Sequence, residues 1–206
     1  MALQEKLGAT VAERPGKTTQ SIIAKLRRQT IKLSQIRDIA GGRVVVADLS
    51  AQERAGDRIR QSYPRAQCID RRKTPVIGYH ALHFVIRSDA KAYELQIRTI
   101  GQQRWAQLSE KFADLVGFEI KYGGGPENVR TVLTLLGELI YQVEQIKKAY
   151  MDVRTTQHAL APVHPDVVKT HSDTEIEAEL AEYDHQLDAL FERVQSVIPL
   201  FEAGTT

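Results

Sequence analysis

The sequence of 206 residues has a single cysteine, Cys68, and no long apolar run. One cysteine excludes a disulfide framework and a zinc site of paired cysteines, and it is typical of a reducing setting. A membrane span needs roughly 18 consecutive apolar residues, and the longest apolar stretch, residues 129–141, is interrupted by polar and charged side chains. We therefore expect a cytoplasmic protein with no membrane association.

Familiar catalytic signatures are also missing. The sequence contains no GxSxG, HExxH or GxGxxG pattern, which argues against the common hydrolase, zinc-protease and dinucleotide-binding sites. Gly16-Lys17-Thr18 imitates the end of a phosphate-binding P-loop, but Val11 replaces the glycine that such a loop needs five positions earlier. The six histidines offer no zinc spacing with a cysteine partner.

What the sequence does have is an uneven distribution of charge. Residues 1–125 hold 22 Lys and Arg against 12 Asp and Glu, whereas residues 126–206 hold 6 against 14. We therefore predict two parts, a basic domain over 1–125 and an acidic C-terminal helical extension over 126–206. A basic domain suits a phosphate-rich ligand or nucleic acid, and an acidic extension suits packing on that domain or on a second copy.

The hydrophobic pattern of the basic part alternates between strand and helix. It predicts strands over 42–49, 78–87 and 92–99, and helices over 21–28, 51–63 and 104–115, with Ser50 as an N-cap. In the extension, apolar residues recur at spacings of three and four over 129–146 and 176–201, which predicts a helical pair able to join copies of the chain. The expected fold class is α/β, a mixed β-sheet flanked by helices, with a C-terminal helical extension.

The predicted strand over 92–99 carries a polar stripe. Because strand side chains alternate between faces, one face is apolar and is expected to be the core face: Tyr93, Leu95 and Ile97. The other face presents Glu94, Gln96 and Arg98. Such a carboxylate, amide and guanidinium together can hold a metal or a phosphate, although a solvated sheet face is the plainer interpretation.

The strand before it adds further polar groups. If the two strands align as a hairpin, Tyr79 and His83 converge with the Glu94 carboxylate. A second carboxylate, Asp38, precedes the first strand. Two carboxylates from adjacent strands are a common way to hold Mg²⁺ at transferring phosphates.

Four segments resemble, in order, the motifs of RelA/SpoT-type alarmone synthetases. Residues 38–46 resemble the DIAGxR strand, residues 78–83 the GYxSLH segment, and residues 94–106 the ExQIRT…WA element. Residues 17–26 resemble the phosphate-holding KxxxSIxxKL stretch. The resemblance covers roughly residues 13–125 and includes no hydrolase domain. The sequence therefore resembles the small, single-domain type of synthetase.

The resemblance implies a nucleotidyltransferase-like fold and an ATP-dependent GTP diphosphokinase. Such an enzyme transfers the β,γ-pyrophosphate of ATP to the 3′-hydroxyl of GDP or GTP and makes the alarmone (p)ppGpp of the stringent response. The implied partners are ATP and a guanine nucleotide, and the implied cofactor is Mg²⁺, with Mn²⁺ as a substitute.

The resemblance also implies roles for individual residues. Asp38 and Glu94 would be the catalytic and metal-binding carboxylates. The implied ATP-binding residues are Arg14, Lys17, Ser21, Lys25 and Arg43. The implied acceptor-binding residues are Tyr79, His83, Gln96 and Arg98, with Arg72 and Lys73 just upstream.

The acceptor side departs from the family pattern. The family's PKxNGY is TPVIGY here, so Pro75 and Ile77 replace a lysine and an asparagine, and the basic run over 71–73 is expected to supply the lost charge. Pro15 also stands in place of a usual arginine, for which Arg14 substitutes. Two alternatives therefore stay open. One is a toxin-like relative acting on an adenine nucleotide or a tRNA 3′ end, and the other is a catalytically silent nucleotide-binding module.

Overall fold

The structure is a computed structural model that describes residues 10–13, 40–88, 91–160, 162–163 and 173–203. The predicted helix over 21–28 lies outside these residues. The chain divides into two compact units, residues 1–104 and residues 105–206. Within the described ranges, no helix combines the length and the apolar character needed to cross a membrane.

The first unit contains a five-stranded mixed sheet. Its strands are β1 (Thr10–Glu13), β2 (Ala40–Val46), β3 (Gln67–Asp70), β4 (Leu82–Ser88) and β5 (Lys91–Thr99), in the spatial order β1-β2-β5-β4-β3. β2 and β5 are parallel, and the other neighbours are antiparallel. The mixed sheet predicted from the sequence is therefore confirmed, but β1 and β3 are additional strands. The predicted strand over 78–87 begins only at Leu82.

Helix α1 (Leu49–Ser62) packs on one face of this sheet. Its N-cap is Asp48 and not the predicted Ser50, because Asp48 has extended backbone and its Oδ1 accepts a hydrogen bond from the Ala51 N–H at 2.7 Å. The shared core consists of Val44, Val46, Ala55, Ile59, Leu82, Phe84, Leu95 and Ile97. The prediction that Tyr93 belongs to this core is wrong, since its side chain is 53% exposed.

Helix α2 (Ile100–Val116) directly follows β5 and starts four residues earlier than predicted. The second unit continues with a 3₁₀ helix (Phe118–Tyr122) and with α3 (Glu127–Leu160) and α4 (Asp173–Ala203). Lys147 and Arg154 of α3 pair with Asp184 and Glu177 of α4, respectively. Because the later α3 residue meets the earlier α4 residue, the two helices are antiparallel, and the predicted helical pair is confirmed.

Candidate active site

The polar stripe of β5 lies on the sheet face opposite α1. In the strand register, Arg43 of β2, Gln96 of β5 and His83 of β4 are direct neighbours and form one row across three strands. Glu94 stands in the next row, between Gly41 and Val85. A Cβ on Gly41 would lie 2.4 Å from the Glu94 carbonyl oxygen, so only glycine allows β2 to approach β5 this closely.

The Glu94 carboxylate is held at both oxygens. His83 Nδ1 lies 3.0 Å from Oε1, and the Gln96 side-chain amide donates to Oε2 at 3.0 Å. Gln96 in turn accepts a hydrogen bond from Arg98 Nη2 at 2.9 Å. These contacts fix the orientation of the carboxylate, whose side chain is only 14% exposed.

Tyr79 closes this network into a ring. Its hydroxyl lies 2.8 Å from His83 Nε2 and accepts hydrogen bonds from Arg98 Nε and Nη2 at 3.2 and 3.0 Å. The Arg98 guanidinium also lies 5.2 Å from the centre of the Tyr79 ring. Burial raises the pKa of the Tyr79 hydroxyl, although the Arg98 charge opposes that shift, so Tyr79 is neutral at physiological pH. We call Tyr79, His83, Glu94, Gln96 and Arg98 the acceptor ring.

The hydrogen-bond donors and acceptors around His83 fit a neutral imidazole. A carboxylate only accepts hydrogen bonds, so His83 Nδ1 carries the proton that faces Glu94. His83 Nε2 is then an acceptor for the Tyr79 O–H, while the tyrosine oxygen accepts from Arg98. The predicted convergence of an aromatic ring, an imidazole and a carboxylate is therefore present in the structure.

Tyr79 reaches the acceptor ring from a tight turn and not from a strand. Val76 and Tyr79 form an isolated β-bridge, and Ile77 and Gly78 between them have positive φ angles of 54° and 75°. Positive φ at both central residues is the pattern of a type I′ turn, which glycine and asparagine favour. The turn thus directs the Tyr79 side chain back over β4.

A buried amide cluster supports the end of β5 and was not predicted. Thr99 Oγ1 accepts from the Gln102 N–H at 3.1 Å, and Gln102 Oε1 accepts from the Thr99 N–H at 3.2 Å. This reciprocal pair is a capping box that starts α2, and the TxxQ spacing in the sequence is its signal. Gln52 of α1 donates to Gln102 Oε1 and to the Ile97 carbonyl at 2.7 and 2.8 Å. Helix α2 also holds Arg98, since Arg98 Nη1 donates a hydrogen bond to the Gln103 side chain at 3.0 Å.

The positive charge of Arg72 is paired with two acidic side chains. Its guanidinium donates two hydrogen bonds to Asp70, each at 2.9 Å, and lies 3.7 Å from Glu53. Burial alone would raise the pKa of the Asp70 carboxyl, but the hydrogen bonds and charge of Arg72 outweigh it and hold the pKa below its ordinary value. The charge of Arg72 is therefore already compensated, whereas Lys73 beside it is exposed.

The phosphate side of the predicted site lies outside the described residues. This applies to Arg14, Lys17, Ser21, Lys25 and Asp38. In the described ranges, no three His, Cys, Asp or Glu side chains come together as a metal site. Glu94 supplies a carboxylate, the type of ligand that Mg²⁺ prefers, and its two oxygens are oriented by His83 and Gln96.

The sheet order and the polar row place this unit in the class of nucleotidyltransferase-like α/β folds. Solved structures share the fold. Small alarmone synthetase 2 from Bacillus subtilis matches with a TM-score of 0.59 and 25% identity over 73% of this chain and 86% of the other. A GTP pyrophosphokinase family protein from Streptococcus pneumoniae matches with a TM-score of 0.57 and 21% identity over 80% and 88%.

The sequence comparisons are more specific. Residues 14–113 match the family model described as the region found in RelA / SpoT proteins. An uncharacterized protein of Mycobacterium tuberculosis is 39% identical over 118 residues, which are 55% of this chain and 43% of that protein. The chain thus spans less than half the length of this curated relative. The same values hold for an uncharacterized protein of Mycobacterium bovis.

Proposed function

We propose that this protein is a pyrophosphokinase that transfers the β,γ-pyrophosphate of ATP to the 3′-hydroxyl of GDP or GTP. The observation that carries the proposal is the acceptor ring, which holds one carboxylate at a fixed angle beside an aromatic ring on the polar sheet face. The family match supports a transferase of this kind. Small alarmone synthetase 1 from Bacillus subtilis, which shares the fold, was solved bound to its product pppGpp.

In this proposal the acceptor oxygen attacks the β-phosphorus of ATP. The bond from that phosphorus to the α,β-bridging oxygen breaks, AMP leaves, and the hydroxyl proton passes to Glu94. His83 and Gln96 keep the carboxylate aimed at the hydroxyl, since each binds one of its oxygens. Tyr79 offers the acceptor base a ring whose position Arg98 and His83 fix. Arg43 would stack on the adenine, and Lys17, Ser21 and Lys25 would hold the ATP phosphates.

The proposed cofactor is Mg²⁺, held by Glu94 together with Asp38. When bound, the ion supplies positive charge that offsets the charge developing on the transferred phosphates. The chain's own contribution is an oriented, partly buried carboxylate on a rigid strand.

The test is a transfer assay with the purified full chain and ATP labelled in the γ-phosphate. GDP, GTP, ADP and a tRNA are offered as separate acceptors, with MgCl₂, with MnCl₂ or with EDTA, and the products are separated by ion-exchange chromatography. We expect labelled guanosine product only with a divalent ion. Glu94→Gln should lower turnover by at least ~10²-fold, as expected for loss of a general base or metal ligand.

Glu192→Gln is the matched control, because it makes the same change on the exposed face of α4. Labelling of ADP or tRNA instead of a guanine nucleotide would replace this proposal by the toxin-like alternative. No transfer to any acceptor, with nucleotide binding retained, would support a catalytically silent module. Near-normal turnover of Glu94→Gln would remove the role given to Glu94.

We also propose that the C-terminal helices join copies of the chain into a homo-oligomer. The support is an apolar stripe on α3 that stays exposed beside its paired face: Val132, Leu135, Leu139, Ile146, Val153 and Leu160. Five of these six residues recur at intervals of seven, which is the spacing of a helix–helix seam.

A further inference from the structure

Helix α1 carries one polar side chain on its buried face. The other buried residues of this helix are small or apolar: Leu49, Ala55, Gly56 and Ile59. Gln52 stands among them and is completely buried, with 0% exposure. Burying an amide costs free energy unless its polar groups find hydrogen-bond partners, whereas a leucine would fill the same place without that cost. The contacts of Gln52 therefore indicate what its amide does.

Side-chain amides hold both peptide groups that flank Arg98. Gln52 Nε2 donates a hydrogen bond at 2.8 Å to the Ile97 carbonyl, which belongs to the peptide group before Arg98. Gln102 Oε1 accepts a hydrogen bond at 3.2 Å from the Thr99 N–H, which belongs to the peptide group after Arg98. The two amides also bind each other, since Gln52 Nε2 donates to Gln102 Oε1 at 2.7 Å. We call Gln52 and Gln102 the amide clamp.

The amide clamp lies where strand pairing on one side of β5 ends. The register of β4 with β5 ends at Leu82 and Ile97, one residue before Arg98, whereas the register of β2 with β5 continues as far as Thr99. The backbone of one residue has only two freely rotating dihedral angles, φ and ψ, and each lies between two planar peptide groups. Because the amide clamp holds the peptide group on each side of Arg98, it limits both angles at this point of the strand.

The side chain of Arg98 depends on that backbone position. The Arg98 guanidinium donates hydrogen bonds to Tyr79 and Gln96 of the acceptor ring. It also donates to Gln103, the residue that follows Gln102 in the first turn of α2. Hydrogen bonds weaken steeply when their geometry is lost. A small shift of the strand at Arg98 would therefore loosen the acceptor ring, which contains the proposed catalytic carboxylate.

We propose that Gln52 and Gln102 are positioning residues, which act on the acceptor through Arg98. Their side chains are buried, with residue exposures of 0% and 2%, so they hold the backbone of β5 and not the substrate. The effect on catalysis rests on the proposed pyrophosphate transfer. The hold on Arg98 is a property of the protein without nucleotides and can be measured separately.

The first measurement is the rate at which the Arg98 Nε proton exchanges with water, observed by nuclear magnetic resonance in the full chain with isotope-labelled arginine and no nucleotide. Arg98→Lys identifies the signal by its loss. Gln52→Leu should speed the exchange at least ~10-fold, because exchange requires the hydrogen bond of this proton to Tyr79 to open. Ile59→Val is the control and should leave the exchange unchanged, since it alters the same buried face of α1 without touching the amide clamp.

The second measurement is steady-state kinetics of these variants, with ATP and the acceptor varied separately. Gln52→Leu should lower kcat about tenfold, because the carboxylate of the acceptor ring loses its fixed orientation. The KM for ATP should stay within about threefold of the wild-type value. Ile59→Val should keep the wild-type values of both quantities.

A double variant separates positioning from stability. Gln52→Leu leaves the buried Gln102 amide with one hydrogen-bond partner fewer, which lowers the melting temperature. Combining Gln52→Leu with Gln102→Leu removes both amides, so the melting temperature should recover at least part of that loss. The exchange rate at Arg98 and kcat should not recover, because nothing then holds the two peptide groups.

Recovery of the exchange rate and of kcat together with the melting temperature would reduce the amide clamp to a stabilising contact and overturn the proposal. Wild-type exchange in Gln52→Leu, or equally fast exchange in Ile59→Val, would overturn it as well. Faster exchange at Arg98 with an unchanged kcat would overturn the link to catalysis. If the wild-type protein transfers no pyrophosphate, the proposed function fails, while the exchange rates still decide whether the amide clamp holds Arg98.

Discussion

The hydroxyl of Tyr79 has three hydrogen-bond partners on two different side chains. Stacking alone would make a phenylalanine nearly equivalent at this position, because only the ring face meets a base. The contacts of the acceptor ring predict instead that phenylalanine is not equivalent. Without the hydroxyl, the buried donors of Arg98 and the Nε2 of His83 lose a hydrogen-bond partner. Unsatisfied buried groups cost about 1–3 kcal/mol each. The effect should reach Glu94 through His83.

We therefore predict different kinetic defects for two variants of Tyr79. Tyr79→Phe should lower kcat about tenfold while leaving the KM for the acceptor within about threefold, because the ring remains but Glu94 loses its fixed angle. Tyr79→Ala should also raise the acceptor KM about 5- to 150-fold, because base stacking is lost. Steady-state kinetics with varied acceptor checks both, and Tyr183→Phe on α4 is the control. A phenylalanine variant with wild-type kcat would contradict the link from Tyr79 to Glu94.

The Asp70–Arg72 pair makes a prediction about pH. The pKa of Asp70 is lower in the folded protein than the ordinary value of about 3.9. The pairing of Asp70 with Arg72 therefore stabilises the fold when the pH is above this ordinary pKa. The stabilisation is lost as the pH falls through the lower pKa of the folded protein. Asp70→Asn should lower the free energy of unfolding by about 1–3 kcal/mol at pH 7. The difference from the wild type should shrink below about pH 4, as urea unfolding at pH 7, 5 and 3.5 would show.

The exposed pair Asp57–Arg60 supplies the control for that experiment. Its two side chains are 63% and 48% exposed, and pairs in water contribute little to stability. Asp57→Asn should therefore leave the pH dependence unchanged. A pH-independent deficit in Asp70→Asn would mean that Asp70 stabilises by shape and not by charge.

At the scale of elements, the turn before β4 carries backbone strain. Ile77 has a φ of 54°, a conformation that costs a residue with a branched Cβ about 1–2 kcal/mol. Asparagine tolerates this conformation, and asparagine is what the family pattern has where Ile77 stands. Ile77→Asn should raise the free energy of unfolding by about 0.5–1 kcal/mol, since lost apolar contact of the half-buried side chain offsets part of the gain.

Thermal unfolding measured by calorimetry checks that prediction. Val76→Asn is the control, because Val76 directly precedes the strained position and is not among the residues with positive φ. Stabilisation by both substitutions would trace the effect to polarity. No stabilisation by Ile77→Asn would mean that the packing of the isoleucine outweighs the strain of its backbone.

The elements also show what a sequence can reveal. The alternation of β5 placed Glu94, Gln96 and Arg98 on one face, because strand side chains repeat every two residues. β1 and β3 were missed, since each has only four residues and too few alternations to stand out. Contacts such as Gln52 with Gln102 join positions 50 residues apart. Only the three-dimensional fold brings such residues together, so no local sequence pattern predicts these contacts.

At the scale of the whole molecule, the apolar side chains of the two long helices differ in how exposed they are. The seam predicted on α4 is partly covered within the chain, since Leu187, Leu190 and Val194 are half-buried and Phe191, outside that seam, is 2% exposed. Both ion pairs that join α4 to α3 lie on the N-terminal side of this contact, at Asp184 and Glu177 of α4. The stripe of α3 is less covered, with Ile146 at 50% exposure and Leu135 at 65%. Assembly is therefore expected to use α3 more than α4.

Adjacent residues of α3 allow a matched test of assembly. Ile146 lies on the apolar stripe, whereas Gln145 is exposed and lies about 100° away around the helix. Ile146→Asp should lower the particle mass measured by light scattering, because a charge cannot be buried between two copies without a partner. Gln145→Asp introduces the same charge and the same loss of helix propensity, and it should leave the mass unchanged. Leu187→Asp should instead lower the melting temperature, since it disrupts packing within one chain. An unchanged mass for Ile146→Asp, in an assembly that dissociates on dilution, would show that the stripe is not the contact between copies.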